Sequence, residues 1–194
     1  MNSIVLNKKR LGVILIITGL MVLLLCFSKI FDEKIKVAAL VQNNISDLKK
    51  YSALDGKLTY KLPNNWNTEA WDFTGNEILY HNDFYSSDSK IFGFIEVWNL
   101  HENVESFLIK SEENSKIQNE ILSYNRSKIK IKDKDIYLVK YKLKSDNGMV
   151  YIAFEYFIPK DNGFVRMTFY TREDNYNETQ GAIYEALLNT ICFN

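Results

Sequence analysis

The chain has 194 residues, in which 24 lysines and arginines balance 24 aspartates and glutamates. This balance argues against a nucleic-acid-binding protein, because such domains are usually strongly basic on one face. Cys26 and Cys192 are the two cysteines in the sequence. They exclude a disulfide framework, since Cys26 falls in an apolar run that is predicted to lie in a membrane.

That apolar run, Leu11 to Phe27, contains no charged residue and follows the basic triplet Lys8-Lys9-Arg10. As a helix of about 17 residues it reaches roughly 25 Å, which is enough to span a bilayer core. Basic residues before such a span favour a cytoplasmic N-terminus. We therefore predict a cytoplasmic tip and transmembrane signal anchor over residues 1–28, in a single-pass cell-membrane protein whose C-terminal domain is extracytoplasmic.

The anchor has two alternatives, a cleaved signal peptide and a lipoprotein. Cys26-Phe27-Ser28 matches a cleavage site poorly, and Leu25 stands where a small residue should precede a lipidated Cys26. An uncleaved anchor is therefore favoured. Residues 29–54 are expected to form a juxtamembrane stalk, with a partner-binding helix at Val37–Val41 as the alternative.

The folded domain is expected over residues 55–194, beginning at the Asp55-Gly56 turn signal. Three strands are predicted first, at Leu58–Leu62, Glu77–His81 and Ile91–Leu100. Both faces of the third strand are apolar, which is typical of a central strand. Asn103 can then cap a helix that runs from Val104 to about Asn114.

Period-two patterns predict four further strands, at residues 124–132, 136–144, 150–158 and 164–171. The turns Asp146-Asn147-Gly148 and Asp161-Asn162-Gly163 require antiparallel neighbours. A last helix should begin at a capping box of Asn175 and Glu178 and pack its apolar stripe on the sheet. The predicted fold class is α+β: a twisted antiparallel sheet of about six to seven strands flanked by helices, preceded by one N-terminal transmembrane helix.

Several features of this pattern match a known family: the segment Tyr60-Lys61-Leu62-Pro63-Asn64-Asn65-Trp66, the helix after the third strand, the meander Tyr124–Thr171, and the closing Ile191-Cys192-Phe193. Over Gly56–Phe193 the chain resembles the PsbP-like family, whose α/β/α sandwich is shared with the Mog-type Ran-binding proteins. The resemblance implies an extracytoplasmic, non-enzymatic assembly or accessory factor and offers no catalytic residues to carry over. The membrane anchor departs from the family, and no role in photosynthesis is implied.

Few residues are candidates for chemistry. The sequence has no Gly-x-Ser-x-Gly nucleophile motif, and the spacing of His81 and His101 with Asp83, Asp88 and Glu102 matches no standard zinc or calcium pattern. Both histidines are therefore expected to be solvated at strand ends. We predict no catalytic, cofactor-binding or metal site, and Cys192 is expected to be a small buried hydrophobe near the end of the last helix.

Two other groups of residues allow a binding role. The basic row Arg126, Lys128, Lys130 and Lys132 is expected to be solvated, with contact to anionic lipid or a cell-wall polymer as the alternative. The aromatic residues, among them Trp66, Trp71 and Trp98, are expected to build the core, with a ligand groove between sheet and helix as the alternative.

These observations favour a non-catalytic, membrane-anchored extracytoplasmic binding or accessory module, without a cofactor. The expected partners are the membrane, through Leu11 to Phe27, and a protein or envelope component; nucleic acid is not expected. One alternative is a structural subunit of a larger membrane complex. The other is a hydrolase or metal-binding protein that uses His81 and His101.

Overall fold

A computed structural model describes residues 14–23, 34–36, 38, 40, 45, 47–131 and 134–193. Residues 14–23, which belong to the apolar run, are helical and exposed. Within these ranges no helix is both long enough and apolar enough to cross a membrane. The rest of the predicted span, residues 11–13 and 24–27, lies outside the described residues.

Two antiparallel sheets form the folded unit. The main sheet has seven strands in the order β3-β4-β5-β9-β8-β7-β6, and the small sheet has three in the order β1-β2-β10. The strands are β1 Leu48–Ala53, β2 Leu58–Pro63, β3 Asn67–Trp71, β4 Ile78–Tyr85, β5 Ile91–Trp98, β6 Glu120–Ile131, β7 Lys134–Lys144, β8 Val150–Lys160, β9 Gly163–Arg172 and β10 Cys192–Phe193. Helix α1 is Val104–Gln118 and helix α2 is Thr179–Leu188, preceded by a 3-10 turn at Glu173–Asn175.

The main core lies between the inner face of the main sheet, helix α2 and the small sheet. Alternate residues of β5 and β9, such as Ile95 and Phe169, point into it and are fully buried. Leu187 of α2 is fully buried as well, and the ring of Tyr184 stacks on that of Phe169 at 4.2 Å. The predicted apolar stripe of the last helix therefore does pack on the sheet.

Helix α1 packs on the opposite, outer face of the main sheet. The Asn103 side chain caps it by accepting a hydrogen bond of 2.8 Å from the Ser106 amide, as the sequence predicts. Val104 and Leu108 are buried in a second cluster with Val139 and two phenylalanines. On the same face the side chains near β3 remain exposed, so α1 covers only part of it.

The α+β class and the antiparallel meander are confirmed, and β5 lies inside the main sheet between β4 and β9. The small sheet was not predicted. Strand β1 lies within the expected stalk of residues 29–54, yet it pairs with β2 along its whole length. Ile45 is buried in the main core. The folded unit therefore begins before Asp55, because β2 needs this partner for its backbone hydrogen bonds.

The end of the chain also differs from expectation. The predicted capping box of Asn175 and Glu178 is wrong, since Asn175 lies in the 3-10 turn and Glu178 makes no side-chain cap. Helix α2 stops at Leu188, and Cys192 belongs to β10, where it pairs with Thr59. The prediction of a buried Cys192 is wrong, because this short edge strand leaves the thiol exposed.

Candidate functional site

Charged side chains from four neighbouring strands, β4, β5, β9 and β8, meet on the outer face of the main sheet. The strand register places His81 of β4 opposite Glu96 of β5, and Glu96 opposite Arg166 of β9. Glu155 of β8 lies beside Arg166, and Asp83 follows His81 on the same face of β4. We call these five side chains the outer-face network.

His81 lies between two carboxylates. Its Nδ1 is 2.8 Å from Glu96 Oε1 and its Nε2 is 3.0 Å from Asp83 Oδ1. A neutral imidazole has one donor, whereas ionised carboxylates only accept. Two hydrogen bonds therefore require either an imidazolium that donates from both nitrogens or a proton on one carboxyl group. Either way, both ring nitrogens are already engaged.

Arg166 supplies the permanent positive charge. Its Nη2 donates to Glu155 Oε1 at 2.7 Å, and its Nη1 lies 3.5 Å from Glu96 Oε2. Burial lowers the pKa of Arg166, but the charge of Glu155, followed by Tyr170 and Glu96, raises it above the usual value. The guanidinium also lies 4.9 Å from the ring centroid of Phe94. It is therefore charged and held on several sides.

Neutral donors complete the shell around the two buried glutamates. Trp98 Nε1 donates to Glu96 Oε2 at 2.7 Å, and the Tyr141 hydroxyl donates to Glu155 Oε1 at 2.9 Å. Burial, followed by the charge of Glu155, raises the pKa of Tyr141 and raises that of Tyr170 to about 12. Both phenols therefore stay protonated at neutral pH and can donate hydrogen bonds.

The members of the outer-face network are bonded chiefly to one another. Within the described ranges, no group of three histidine, cysteine or acidic side chains is arranged to hold a metal ion. Glu96 and Glu155 accept from positioned donors, and neither is bonded to a serine or cysteine that could act as a nucleophile. Its evident effect is to fix the rings that surround it.

A layer of rings extends from this network to the edge of the sheet. Phe73 meets His81 edge-on at 5.2 Å, His81 stacks on Phe94 at 5.3 Å, and Phe92 stacks on Tyr170 at 5.2 Å. Trp71, Phe73 and Tyr85 are 51%, 49% and 43% exposed. We define the outer aromatic surface as Trp71, Phe73, Tyr85, Phe92, Phe94, Tyr151 and Tyr170.

Acidic groups accompany these rings. Glu69 and Asp83 face each other across β3 and β4. Burial raises the pKa of Tyr85, and the charges of Asp83 and Glu69 raise it further. The outer aromatic surface is therefore apolar in its rings and negative at its edge.

The two predicted histidines do not come together. His81 is buried in the middle of β4, so the prediction that it is solvated at a strand end is wrong. The strand is longer than predicted because Asn82 to Tyr85 continue it. His101 is exposed in the loop before α1, as expected.

The other candidate metal ligands, Asp88 and Glu102, lie in different parts of the fold. Asp88 accepts hydrogen bonds from Ser86 and the Lys90 amide in the turn before β5, whereas Glu102 pairs with Lys110. Neither contributes to the outer-face network.

The basic row lies on the edge strand β6. Lys128 Nζ is 5.3 Å from the ring of Tyr137, and Lys130 pairs with Asp135 at 3.7 Å. Arg126 shares their face, opposite Val139, and Lys132 lies outside the described residues. The three tryptophans differ in exposure: Trp66 is buried, Trp98 is half-buried and Trp71 is exposed.

Glu96, Glu155 and Arg166 were not predicted as site residues. Each stands alone as a charged residue in the apolar middle of a predicted strand: Val97 and Ile95 flank Glu96, and aromatic residues flank Glu155. Buried charges need partners. Three such residues in adjacent central strands could therefore have been predicted to pair.

Comparisons with known proteins support the fold. No family model matches the sequence, and the comparison with curated proteins finds no match either. The cyanobacterial PsbP (CyanoP) from Synechocystis sp. is similar in structure, with a TM-score of 0.55 at 11% identity over 77% of this chain and 94% of that chain. A protein from Bacteroides thetaiotaomicron has a TM-score of 0.52 at 16% identity over 75% of this chain and 48% of that one. The chain thus has a fold like that of PsbP.

Proposed function

We propose that this protein is a non-catalytic, membrane-anchored, extracytoplasmic binding module that contacts a protein partner through its outer aromatic surface. The observation that carries the proposal is the exposure of Trp71, Phe73 and Tyr85 beside a buried network that fixes the neighbouring rings. Exposed aromatic clusters on a rigid support are typical of binding sites, because rigid rings lose little conformational entropy when they bind.

The charge of this surface favours a partner with basic side chains. Glu69 and Asp83 lie at its edge, and a lysine or arginine of the partner could pair with them or lie over an exposed ring. Edge charges of this kind chiefly affect the rate of association and its dependence on salt. Binding that weakens as ionic strength rises would be the expected signature.

Anchoring rests on the sequence. The apolar run Leu11 to Phe27, with its preceding basic triplet, supports a single span with a cytoplasmic N-terminus. Lys36, in the helical segment that follows, lies 3.6 Å from Glu185 of α2. This ion pair places the segment against the folded domain.

Topology can be tested on intact cells with a thiol reagent that does not cross membranes. In a Cys26→Ala variant the exposed Cys192 should react without lysis. A Cys26→Ala, Cys192→Ala, Ser3→Cys variant should react only after lysis. The reverse pattern would contradict the proposed orientation.

The binding role can be tested by substitution. Trp71→Ser with Tyr85→Ser should abolish the cellular function of the protein while its melting temperature changes little, because both side chains are exposed. The matched control is Ile109→Ser with Ile117→Ser on α1, where the side chains are 46% and 83% exposed. Equal loss of function in both double variants would argue against a specific surface.

A further inference from the structure

A second candidate site lies away from the outer aromatic surface, between the two sheets. A cleft of about 860 Å³ opens where the β1–β2 turn, the end of α2 and the β8–β9 turn meet. Its volume falls in the usual range for small-molecule sites. The inner wall is apolar and includes Ile131, Ile136, Ile158, Val165, Leu188 and Phe193.

Three lysines line this cleft: Lys57 from the β1–β2 turn, Lys134 at the start of β7, and Lys160 at the end of β8. Among the residues that the structure describes, no carboxylate oxygen lies within 4.0 Å of their ammonium groups. Elsewhere on the domain, lysines such as Lys110 and Lys142 are paired with glutamates. Asp161 also lines the cleft, so its described lining carries three cationic side chains and one carboxylate. The lining is therefore positive on balance.

Lys160 is the most constrained of the three. Its Nζ donates to the Asn162 carbonyl at 2.7 Å and lies 5.4 Å from the ring centroid of Phe193. Burial lowers its pKa, although the charge of Asp161 opposes the shift. The ammonium group is thus partly removed from water next to an apolar wall, where an anion would stabilise it.

We propose that this cleft binds a single-chain amphiphile with an anionic head group, its alkyl chain on the apolar wall and its head group at Lys57 and Lys160. Free fatty acids and alkyl phosphates derived from phospholipids share this chemistry. The assignment concerns a different surface from the proposed partner site and does not depend on it. For a protein held at a membrane, such molecules would be available from the adjacent bilayer.

Cys192 provides a readout, because this exposed residue belongs to the lining of the same cleft. The full chain carrying Cys26→Ala is placed in nanodiscs of zwitterionic phosphatidylcholine, and the rate of Cys192 alkylation by neutral iodoacetamide is measured. Dodecyl phosphate and laurate are compared with dodecyl maltoside and dodecyltrimethylammonium, which present neutral and cationic head groups. The stronger of the two anionic probes identifies the head-group class.

An anionic probe well above its dissociation constant should slow alkylation about tenfold, because the free cleft becomes rare. Shortening the chain should weaken protection about fourfold per methylene removed. Lys57→Gln with Lys160→Gln should remove the protection, whereas Lys110→Gln with Lys116→Gln on α1 should retain it. Three results would overturn the proposal. The four head groups could protect Cys192 equally, no probe could protect it, or both double-lysine variants could lose the protection to the same extent.

Discussion

Replacing Arg166 with methionine tests the physical account of the outer-face network. The guanidinium lies 2.7 Å from Glu155 and 3.5 Å from Glu96, and both carboxylates are more than nine-tenths buried. Methionine fills much of the same space but leaves Glu155 without its cation and Glu96 with His81 as its remaining basic partner. Removing one partner of a buried ion pair costs about 3–5 kcal/mol. For a protein of this size that corresponds to a fall in melting temperature of about 6–20 °C.

The assay is urea or thermal unfolding followed by circular dichroism, with Arg172→Met as the control. Arg172 also pairs with an acidic residue, Asp174, but both side chains are exposed, so its removal should cost less than about 1 kcal/mol. Adding Glu155→Gln to Arg166→Met should recover part of the loss, because one unpaired charge disappears. Equal stability of the two arginine variants would refute the reasoning.

Three further predictions concern the fold. Gly93→Ala should lower the free energy of unfolding, measured in urea, by about 1–3 kcal/mol or more, since a Cβ there would lie 1.9 Å from the Thr168 carbonyl oxygen. Gly181→Ala is the control and should not destabilise the protein, because a Cβ at that position has open space around it. Burial raises the pKa of Tyr170 to about 12, above the value of about 10 for an unfolded chain. The unfolding free energy measured against pH should therefore fall between these two values, and Tyr170→Phe should make that fall smaller. A fragment of residues 34–194 should unfold cooperatively. A fragment of residues 54–194 loses β1 and the stacking of Tyr51 on Tyr60, so its free energy of unfolding should be lower by about 2 kcal/mol or more.

The meander could be predicted because its signals are local. Alternating side chains define β7 and β8, and the turn at Asn147-Gly148 sets their antiparallel pairing. Asn103 likewise identifies the start of α1 from a short segment. In each case neighbouring residues contain the physical cause of the structure.

The small sheet could not be predicted in this way. Strand β1 contains two adjacent lysines and only scattered apolar residues, and its strand conformation depends on pairing with β2. Cys192 forms a strand because Thr59, far earlier in the chain, lies beside it. Such elements are stabilised by distant partners, which local periodicity does not report.

The outer-face network illustrates the same limit at the site. Glu96 and Arg166 are 70 positions apart in the chain, and only the register of β5 against β9 brings them together. Each charge could be recognised as unusual within an apolar strand. The partner of each, and the burial of His81 between two carboxylates, required the order of strands in the sheet.

The most direct test of the proposed function is photo-crosslinking in native membranes from single positions on the folded domain. A photoreactive residue at Tyr85, on the outer aromatic surface, should yield one discrete crosslinked protein, and raising the salt concentration before irradiation should reduce its yield. The same residue at Ile117, exposed on α1, should not yield it. Crosslinking of the same partner from Ile117 but not from Tyr85 would contradict the assignment of the binding surface.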